Sequence, residues 1–197
     1  MTRSRFIDAV RYATLKHANQ RRKAATAKVV PYIVHPLEAA QILVEAGITD
    51  EDILIAAVLH DTLEDTDATE DDIRFKYGER VLSIVKEVTD DKELPKKKRK
   101  ELQVTNAPSK SYAAKLVKAA DKTSNMKDLV RNPPGWSSES VRGYAGHARR
   151  VVTALSSMQG EIPPQLVAVF WQASQEVLDW CEEQEARVVA TQEATPA

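Results

Sequence analysis

The chain has 197 residues, of which 43% are hydrophobic and 29% charged, so it is long and apolar enough to bury a core, and wholesale disorder is excluded. Its 28 basic and 29 acidic residues leave a formal net charge of -1, which provides no overall attraction to nucleic acid or to an anionic membrane. The lone Cys181 can form no internal disulfide, and no secretory leader or apolar run of about 18 residues is visible, so we expect a soluble cytoplasmic protein.

Helical periodicity dominates the first part of the chain. Apolar residues at helical spacing predict a helix over 5–20, and Pro31 breaks the pattern. Pro36 opens a second helix, which Gly47 ends. Asp50 is a good N-cap for a third helix with the sequence ILIAAVLHD. Because this helix is apolar nearly all round, we expect it to be central and buried.

The middle of the chain predicts shorter helices followed by a long one. Thr69 is a candidate cap for a helix that ends near Gly78, and residues 79–89 are helical again. The basic run PKKKRKE at 95–101 begins another helix. Ser109 or Ser111 opens a long helix that continues through Leu129 and ends before the NPPG break.

The last part of the chain predicts a helix over 138–158 and a further helix begun by Pro163 and Pro164. We therefore expect an all-α protein with eight or nine helices, in which residues 1–160 form one domain. Residues 161–187 would form a C-terminal helix that packs on this domain or on a partner. The polar, Ala/Thr-rich segment 188–197 is expected to be a disordered tail.

A cluster of ionisable residues, HDTLED at 60–65, ends the apolar third helix. If the helix continues, His60 and Glu64 share one face, as do Asp61 and Asp65. Carboxylates at the end of a buried rod are unfavourable unless a cation compensates them, which predicts a metal site. The alternative is a helix end in water that is followed by a solvated acidic loop.

Two more residues can complete such a site. His35 lies between apolar residues in PYIVHP, and Asp121 lies beside small apolar residues in AKLVKAADKTSN. Taken alone, each has a structural interpretation, as a hydrogen-bonded core histidine and as the ion-pair partner of a neighbouring lysine. Together with His60 and Asp61 they form a mixed nitrogen and oxygen ligand set, which suits Mn²⁺, Fe²⁺ or Zn²⁺ with positions left for water and substrate.

Basic residues form three groups, at 21–23, at 96–100 and along the helix that carries Asp121. A metal site flanked by Arg and Lys suits a phosphate ester or anhydride substrate, although each group can also be a solvated helix face. The sequence contains no P-loop, no GxGxxG and no nucleophile motif, so ATP-driven and covalent catalysis have no support.

Six ordered motifs, HANQRRK, PYIVHP, AAVLHDTLEDTD, FKYGERVLSIVKEVTDDK, LPKKKRKE and AKLVKAADKTSNMKDL, resemble the hydrolase domain of the Rel/SpoT alarmone enzymes of the HD superfamily. The resemblance covers about residues 5–155, and without a synthetase or regulatory domain the chain is similar to a stand-alone small alarmone hydrolase. It implies a compact multi-helix HD-domain bundle with a C-terminal helical extension. It also implies hydrolysis of the 3′-diphosphate of (p)ppGpp to pyrophosphate and GDP or GTP, usually with Mn²⁺.

The same resemblance implies roles for individual residues. The implied metal ligands are His35, His60, Asp61 and Asp121. The implied catalytic acidic pair is Glu64 and Asp65. The implied substrate contacts are Arg22, Lys23, Lys96, Asn125, Tyr144 and Arg142.

The chain departs from the family pattern in two places. The segment AATAKVV at 24–30 replaces a shorter turn that contains glycine. After GWS the family often has an arginine four residues before a tyrosine, whereas here Ser140 occupies that position and Arg142 precedes Tyr144 by two residues. The substrate side of the site can therefore differ from that of its relatives.

Three alternatives to the alarmone hydrolase stay open. The first is an HD enzyme that acts on another nucleotide such as the 2′-phosphate of NADPH, an activity linked to animal relatives. The second is a non-catalytic nucleotide-binding regulatory module. The third is nucleic-acid binding through 96–100, although we expect neither a nucleic-acid nor a membrane partner. The oligomeric state is left open.

Overall fold

The computed structural model describes residues 4–25, 29–157 and 162–193. Within these ranges the chain is all-α, which confirms the predicted fold class, and its one bridge pairs Arg21 with Pro31. The helices, in chain order, are α1 (Arg5–Lys16), α2 (Val34–Glu45), α3 (Glu51–Leu59), α4 (Thr62–Asp65), α5 (Glu70–Tyr77), α6 (Glu79–Val88), α7 (Lys96–Thr105), α8 (Tyr112–Arg131), α9 (Ser138–Leu155) and α10 (Pro164–Glu193).

The count of ten described helices exceeds the expected eight or nine because α4 is a single turn, which is too short to produce a periodic pattern. The predicted caps are present. Asp50 accepts a hydrogen bond from the backbone of Asp52, and Thr69 forms a capping box with Asp72. Ser111, rather than Ser109, caps the long helix α8.

Helix α3 lies at the centre of the fold, where it contacts α1, α2, α6 and α8. Its residues 55–59 are fully buried, as its apolar sequence predicts. The helix ends at Leu59, however, so His60 and Glu64 do not share a face of one continuous helix. The hydroxyl of Thr62 donates a 2.7 Å hydrogen bond to the carbonyl of Leu59, which satisfies the helix end and turns the chain into α4.

Helix α8 forms the second axis of the fold and packs against α2, α3, α9 and α10. It is buried along most of its length, and the buried residues include charged ones such as Lys118, Asp121 and Lys122. A helix that buries charges requires partners for them inside the protein. The site described below supplies those partners.

Helix α10 packs on α8 and α9 through a second apolar cluster that includes Met126, Val141, Phe170 and Val177. It continues to Glu193, which differs from the tail expected from residue 188, because the sequence VVATQE contains no helix breaker. Residues 194–197 of that expected tail lie outside the described residues, as does Met158, where α9 was expected to end. Across the described ranges, no helix combines the length and apolar character that a bilayer span requires.

Candidate active site

The four predicted metal ligands converge from three helices. His35 lies in the first turn of α2, His60 and Asp61 follow α3, and Asp121 lies in the middle of α8. The Nε2 atom of His60 is 3.0 Å from Oδ2 of Asp61 and 3.8 Å from Oδ1 of Asp121. Nε2 of His35 is 3.6 and 3.4 Å from the same two oxygens. His35, His60 and Asp121 each place one ligand atom within 4.8 Å of the others.

Hydrogen bonds orient both imidazoles. Nδ1 of His60 is 2.8 Å from the carbonyl of Ala57, which can only accept, so Nδ1 carries the proton of the neutral ring. Nδ1 of His35 is 2.9 Å from the hydroxyl of Ser124, which in turn donates to Glu38 at 2.7 Å. Both rings therefore direct the Nε2 lone pair toward the carboxylates, as ligating histidines do.

The two carboxylates are held in a similar way. Oδ2 of Asp61 accepts a 2.6 Å hydrogen bond from the hydroxyl of Tyr32. Oδ1 of Asp121 accepts one of 2.6 Å from the amide of Asn125, and its Oδ2 lies 3.4 Å from Nζ of Lys122. The ion pair with a neighbouring lysine, which was the structural interpretation of Asp121, thus coexists with its place in the cluster.

The cluster fits a divalent cation. Nε2 of His60 is buried and makes no hydrogen bond, although polar atoms in such a position normally have a partner. Burial works to lower the pKa of His60, but the carboxylates of Asp61 and Asp121 raise it to about 9. The surroundings of His60 thus favour positive charge at the centre of the cluster, which a proton on Nε2 or a divalent cation can provide. Two imidazole nitrogens and two carboxylates are also ligands suited to a borderline or hard divalent ion.

Glu64 and Asp65, the acidic pair that follows the cluster, lie in different environments. Oε2 of Glu64 accepts a 3.1 Å hydrogen bond from the backbone N–H of Asp90, and Oε1 is 3.7 Å from Arg99. Burial raises the pKa of Glu64, and the nearby Asp61 raises it further. Asp65 is more exposed and forms an ion pair with Lys92. Glu64 is therefore the better placed of the two to act as a base.

A cavity of about 180 Å³ opens between the segment after α1, helix α8 and the start of α9. Four of the six predicted substrate contacts line it, namely Arg22, Lys23, Asn125 and Tyr144. The prediction did not include the other five lining residues, which are Asp128, Leu129, Asn132, Pro134 and Trp136.

The contacts within this cavity combine cations with aromatic rings. Arg22 donates to Asp128 at 2.7 Å and to Asn125 at 2.8 Å. The Nζ atom of Lys23 lies 5.9 Å from the centre of the Trp136 ring, whose centre is 5.9 Å from that of Tyr144. Aromatic faces suit a nucleobase, and Arg and Lys suit phosphate.

Two predicted substrate contacts lie elsewhere. Lys96 is exposed at the first position of α7 and does not line the cavity. Arg142 forms an ion pair of 3.0 Å with Glu185 of α10. Ser140, at the altered position, accepts a hydrogen bond from the hydroxyl of Ser137 within the α9 cap. Of the altered loop, Ala25 bonds to Pro133 through its backbone, and residues 26–28 lie outside the described ranges.

Several functional residues were missed, and only some left a signal in the sequence. Ser124 and Asp128 follow Asp121 at helical spacings, so an extension of that helix face would have found them. Tyr32 and Trp136 lie in connecting segments, where no periodicity reports what a side chain contacts.

Comparison with known proteins places this geometry in context. A family model described as HD domain matches residues 9–162. The human guanosine-3′,5′-bis(diphosphate) 3′-pyrophosphohydrolase MESH1 is 47% identical over 171 residues, which are 86% of this chain and 94% of that protein. The Drosophila melanogaster MESH1 is 43% identical over 171 residues, with the same two coverages.

Solved structures agree with the sequence relatives. One, described as a metazoan ortholog of SpoT that hydrolyzes ppGpp and plays a role in starvation responses, is 42% identical to this chain with a TM-score of 0.78. The match covers 87% of this chain and 97% of that one. The protein lmo0812 from Listeria monocytogenes is 26% identical with a TM-score of 0.62, over 75% of this chain and 98% of that one.

Proposed function

We propose, from the premise that the chain belongs to the HD-domain family, that it is a guanosine-3′,5′-bis(diphosphate) 3′-pyrophosphohydrolase. It would cleave the 3′-diphosphate of (p)ppGpp and release pyrophosphate with GDP or GTP. Relatives of nearly the same length carry this name, and a structural neighbour is described as hydrolysing ppGpp.

The structural observation that supports this proposal most directly is the pair of hydrogen bonds made by the side chain of Asn125. Asn125 donates to Asp121 at 2.6 Å and accepts from Arg22 at 2.8 Å. This amide therefore links the ligand cluster directly to the cation that faces the cavity. We therefore call this space the nucleotide cavity, and we call His35, His60, Asp61 and Asp121 the ligand cluster. A nucleotide bound in this cavity would have its phosphates adjacent to the cluster, which is the arrangement that phosphate hydrolysis requires.

We assign the metal to His35, His60, Asp61 and Asp121, with Mn²⁺ as the ion that the family resemblance favours. When bound, a divalent ion supplies a Lewis acid that lowers the pKa of water and offsets charge on phosphate. A cytoplasmic location also stays a prediction.

Residues of the chain accept the proton, stabilise the charge on the diphosphate and bind the base. Glu64, whose pKa is raised, takes the proton of the attacking water, and Asp65 is the second candidate for that role. Arg22 and Lys23 offset the charge that develops on the diphosphate. Trp136 and Tyr144 provide faces for the guanine ring.

The test is incubation of metal-stripped protein with ppGpp, with and without Mn²⁺, followed by ion-exchange separation of the products. A His60→Ala variant and a Tyr112→Phe variant, which alters an exposed tyrosine, serve as the matched pair. We expect GDP and pyrophosphate only with metal, and not from His60→Ala. Release of orthophosphate from NADPH without turnover of ppGpp would mean that the same site acts on NADPH rather than on ppGpp. Tight nucleotide binding without any turnover would indicate a regulatory module.

A further inference from the structure

A second cavity, of about 410 Å³, lies between α7 and α9 and shares no lining residue with the nucleotide cavity. Three cations line it, Lys97 and Lys100 from α7 and Arg150 from α9. His147, which is only 5% exposed, also lines it. We refer to this space as the α7–α9 cavity.

The three cations have no carboxylate partner among the described residues. The one carboxylate that lines the α7–α9 cavity, Glu101, pairs instead with Lys98 at 3.2 Å. Burial lowers the pKa of Lys100, and the nearby charges of Lys96, Lys122 and Arg150 lower it further. Like charges that repel one another without a counter-charge destabilise a folded protein, so their collection around a concave surface points to a bound anion.

The α7–α9 cavity is connected to the candidate active site in two ways. The charge of Lys122 helps to lower the pKa of Lys100. The Nζ atom of Lys122 also lies 3.4 Å from Oδ2 of Asp121 in the ligand cluster. In addition, Nε2 of His147 is 3.0 Å from Oε1 of Gln103, whose amide donates to Asp90 at 2.5 Å.

The second connection ends at the candidate base. The backbone N–H of Asp90 donates to Glu64, so hydrogen bonds run from His147 to that carboxylate. Because the Gln103 oxygen can only accept, His147 donates to it through Nε2–H. His147, which lines the α7–α9 cavity, thus lies at one end of a series of hydrogen bonds that reaches Glu64 through Gln103 and Asp90.

We propose that the α7–α9 cavity binds a phosphate or diphosphate group through Lys97, Lys100 and Arg150. The planar guanidinium of Arg150 can bind two phosphate oxygens at once, and the two ammonium groups act as point charges. The group can come from the distal phosphates of the substrate or from a separate phosphate-bearing molecule. Only the first of these sources rests on the proposed function.

Binding is tested without activity. Inorganic pyrophosphate is titrated into metal-free protein with ¹⁵N-labelled histidine, and the side-chain resonances of His147 are followed by NMR. We expect them to shift in the natural protein and in the control Lys76→Gln/Lys86→Gln, which removes two positive charges from α5 and α6, away from the α7–α9 cavity. In the double variant Lys100→Gln/Arg150→Gln, the affinity should fall at least about tenfold, since two charged contacts are lost.

Two results would overturn the proposal: a His147 signal that does not respond to pyrophosphate, or an equal affinity in the double variant. Thermal unfolding shows whether that variant folds, and because it removes repulsion its Tm should be unchanged or higher. If it does not fold, Arg150→Gln alone is measured against Lys86→Gln alone.

The source of the phosphate is separated by kinetics. If the α7–α9 cavity holds the 5′-diphosphate of the substrate, the double variant raises KM for ppGpp about tenfold and leaves KM for guanosine 3′-diphosphate unchanged. If it holds a separate molecule, the double variant leaves both KM values unchanged, although the natural protein shows the His147 response to pyrophosphate and the variant has lost affinity for it. A protein that turns over neither compound would count against the proposed function and leave the binding result standing.

Discussion

The hydroxyl of Tyr32 donates a 2.6 Å hydrogen bond to Oδ2 of Asp61, the oxygen that both His35 and His60 approach. The ring of Tyr32 also lies 5.5 Å from the guanidinium carbon of Arg22. One side chain thus orients a carboxylate of the cluster and supports a cation of the nucleotide cavity.

Removal of this hydrogen bond should weaken metal binding. We expect Tyr32→Phe to lower Mn²⁺ affinity about 10- to 100-fold, since loss of a group that orients a ligand has that effect in other metal sites. Isothermal titration with Mn²⁺ measures it, with Tyr112→Phe as the control because Tyr112 is exposed. Equal affinities in the two variants would show that Asp61 needs no such support.

Neutralisation of Asp121 should abolish metal binding and lower the free energy of unfolding. Asp121→Asn keeps the shape of the side chain but leaves the buried cations of Lys118 and Lys122 without their carboxylate. We expect loss of measurable Mn²⁺ binding and a decrease of about 3 kcal/mol in the free energy of unfolding of the metal-free protein. Urea denaturation checks the second value, and an unchanged midpoint would mean that water compensates the two lysines.

Substitution of the candidate base should affect turnover rather than binding. Glu64→Gln retains an oxygen for the backbone N–H of Asp90, so we expect metal affinity and KM to be kept while kcat falls about 10²- to 10⁴-fold. Steady-state kinetics of ppGpp hydrolysis, beside the exposed control Glu93→Gln, give the comparison.

The pH profile gives a separate test of the same residue. A base must be ionised to accept a proton, and burial raises the pKa of Glu64. The rate should therefore fall with decreasing pH around a midpoint above the ordinary glutamate value of about 4.3. This acid limb should be absent from the residual activity of Glu64→Gln, and a limb that persists unchanged would assign the titration to another group.

Arg22 and Arg142, which the family resemblance implied as substrate contacts, should differ in their effect on KM. Arg22 lines the nucleotide cavity, and Arg22→Gln should raise KM for ppGpp about tenfold or more through loss of a charged contact. Arg142 is paired with Glu185 on a partly exposed surface, so Arg142→Gln should change KM less than about twofold. The reverse order would restore Arg142 as a substrate contact.

His147 should make stability depend on pH. Burial, with help from Lys122 and Lys100, lowers its pKa to about 4 in the folded protein, so between that value and about 6.5 the unfolded chain binds the proton more tightly. The contribution of His147 is present above the unfolded pKa and is lost as the pH falls toward 4. The natural protein should therefore lose more unfolding free energy than His147→Gln between pH 7 and pH 4. Parallel urea curves for the two proteins would contradict this assignment.

The sequence predicted the fold class and most helix limits because caps and breakers act locally. Asp50, Thr69 and Ser111 each bond to backbone atoms within three residues of their own position. The end of α3 at Leu59 was not predicted, since LHDT contains neither glycine nor proline.

The candidate site was predictable where the residue types themselves suit a metal ion, as at His35, His60 and Asp121, and unpredictable where a contact depends only on packing between distant segments. Asn125 lies one turn after Asp121 on the same helix, although its role as a substrate contact was implied by the family resemblance. The approach of Tyr32 to Asp61 and the pairing of Arg142 with Glu185 depend on packing between distant segments. No local pattern encodes either contact, and the second places Arg142 beside α10 rather than in the cavity.

Helix α10 has a mechanical consequence. All of it lies beyond the HD-domain match, yet its contact with α8 is the most extensive between any two described helices. Because α8 carries Asp121 and Asn125, the packing of α10 on α8 helps to hold both the ligand cluster and the nucleotide cavity in position. A protein fused after residue 193 would be attached to the end of α10. A short rigid junction would then transmit its motion to α8, whereas a long flexible junction would not.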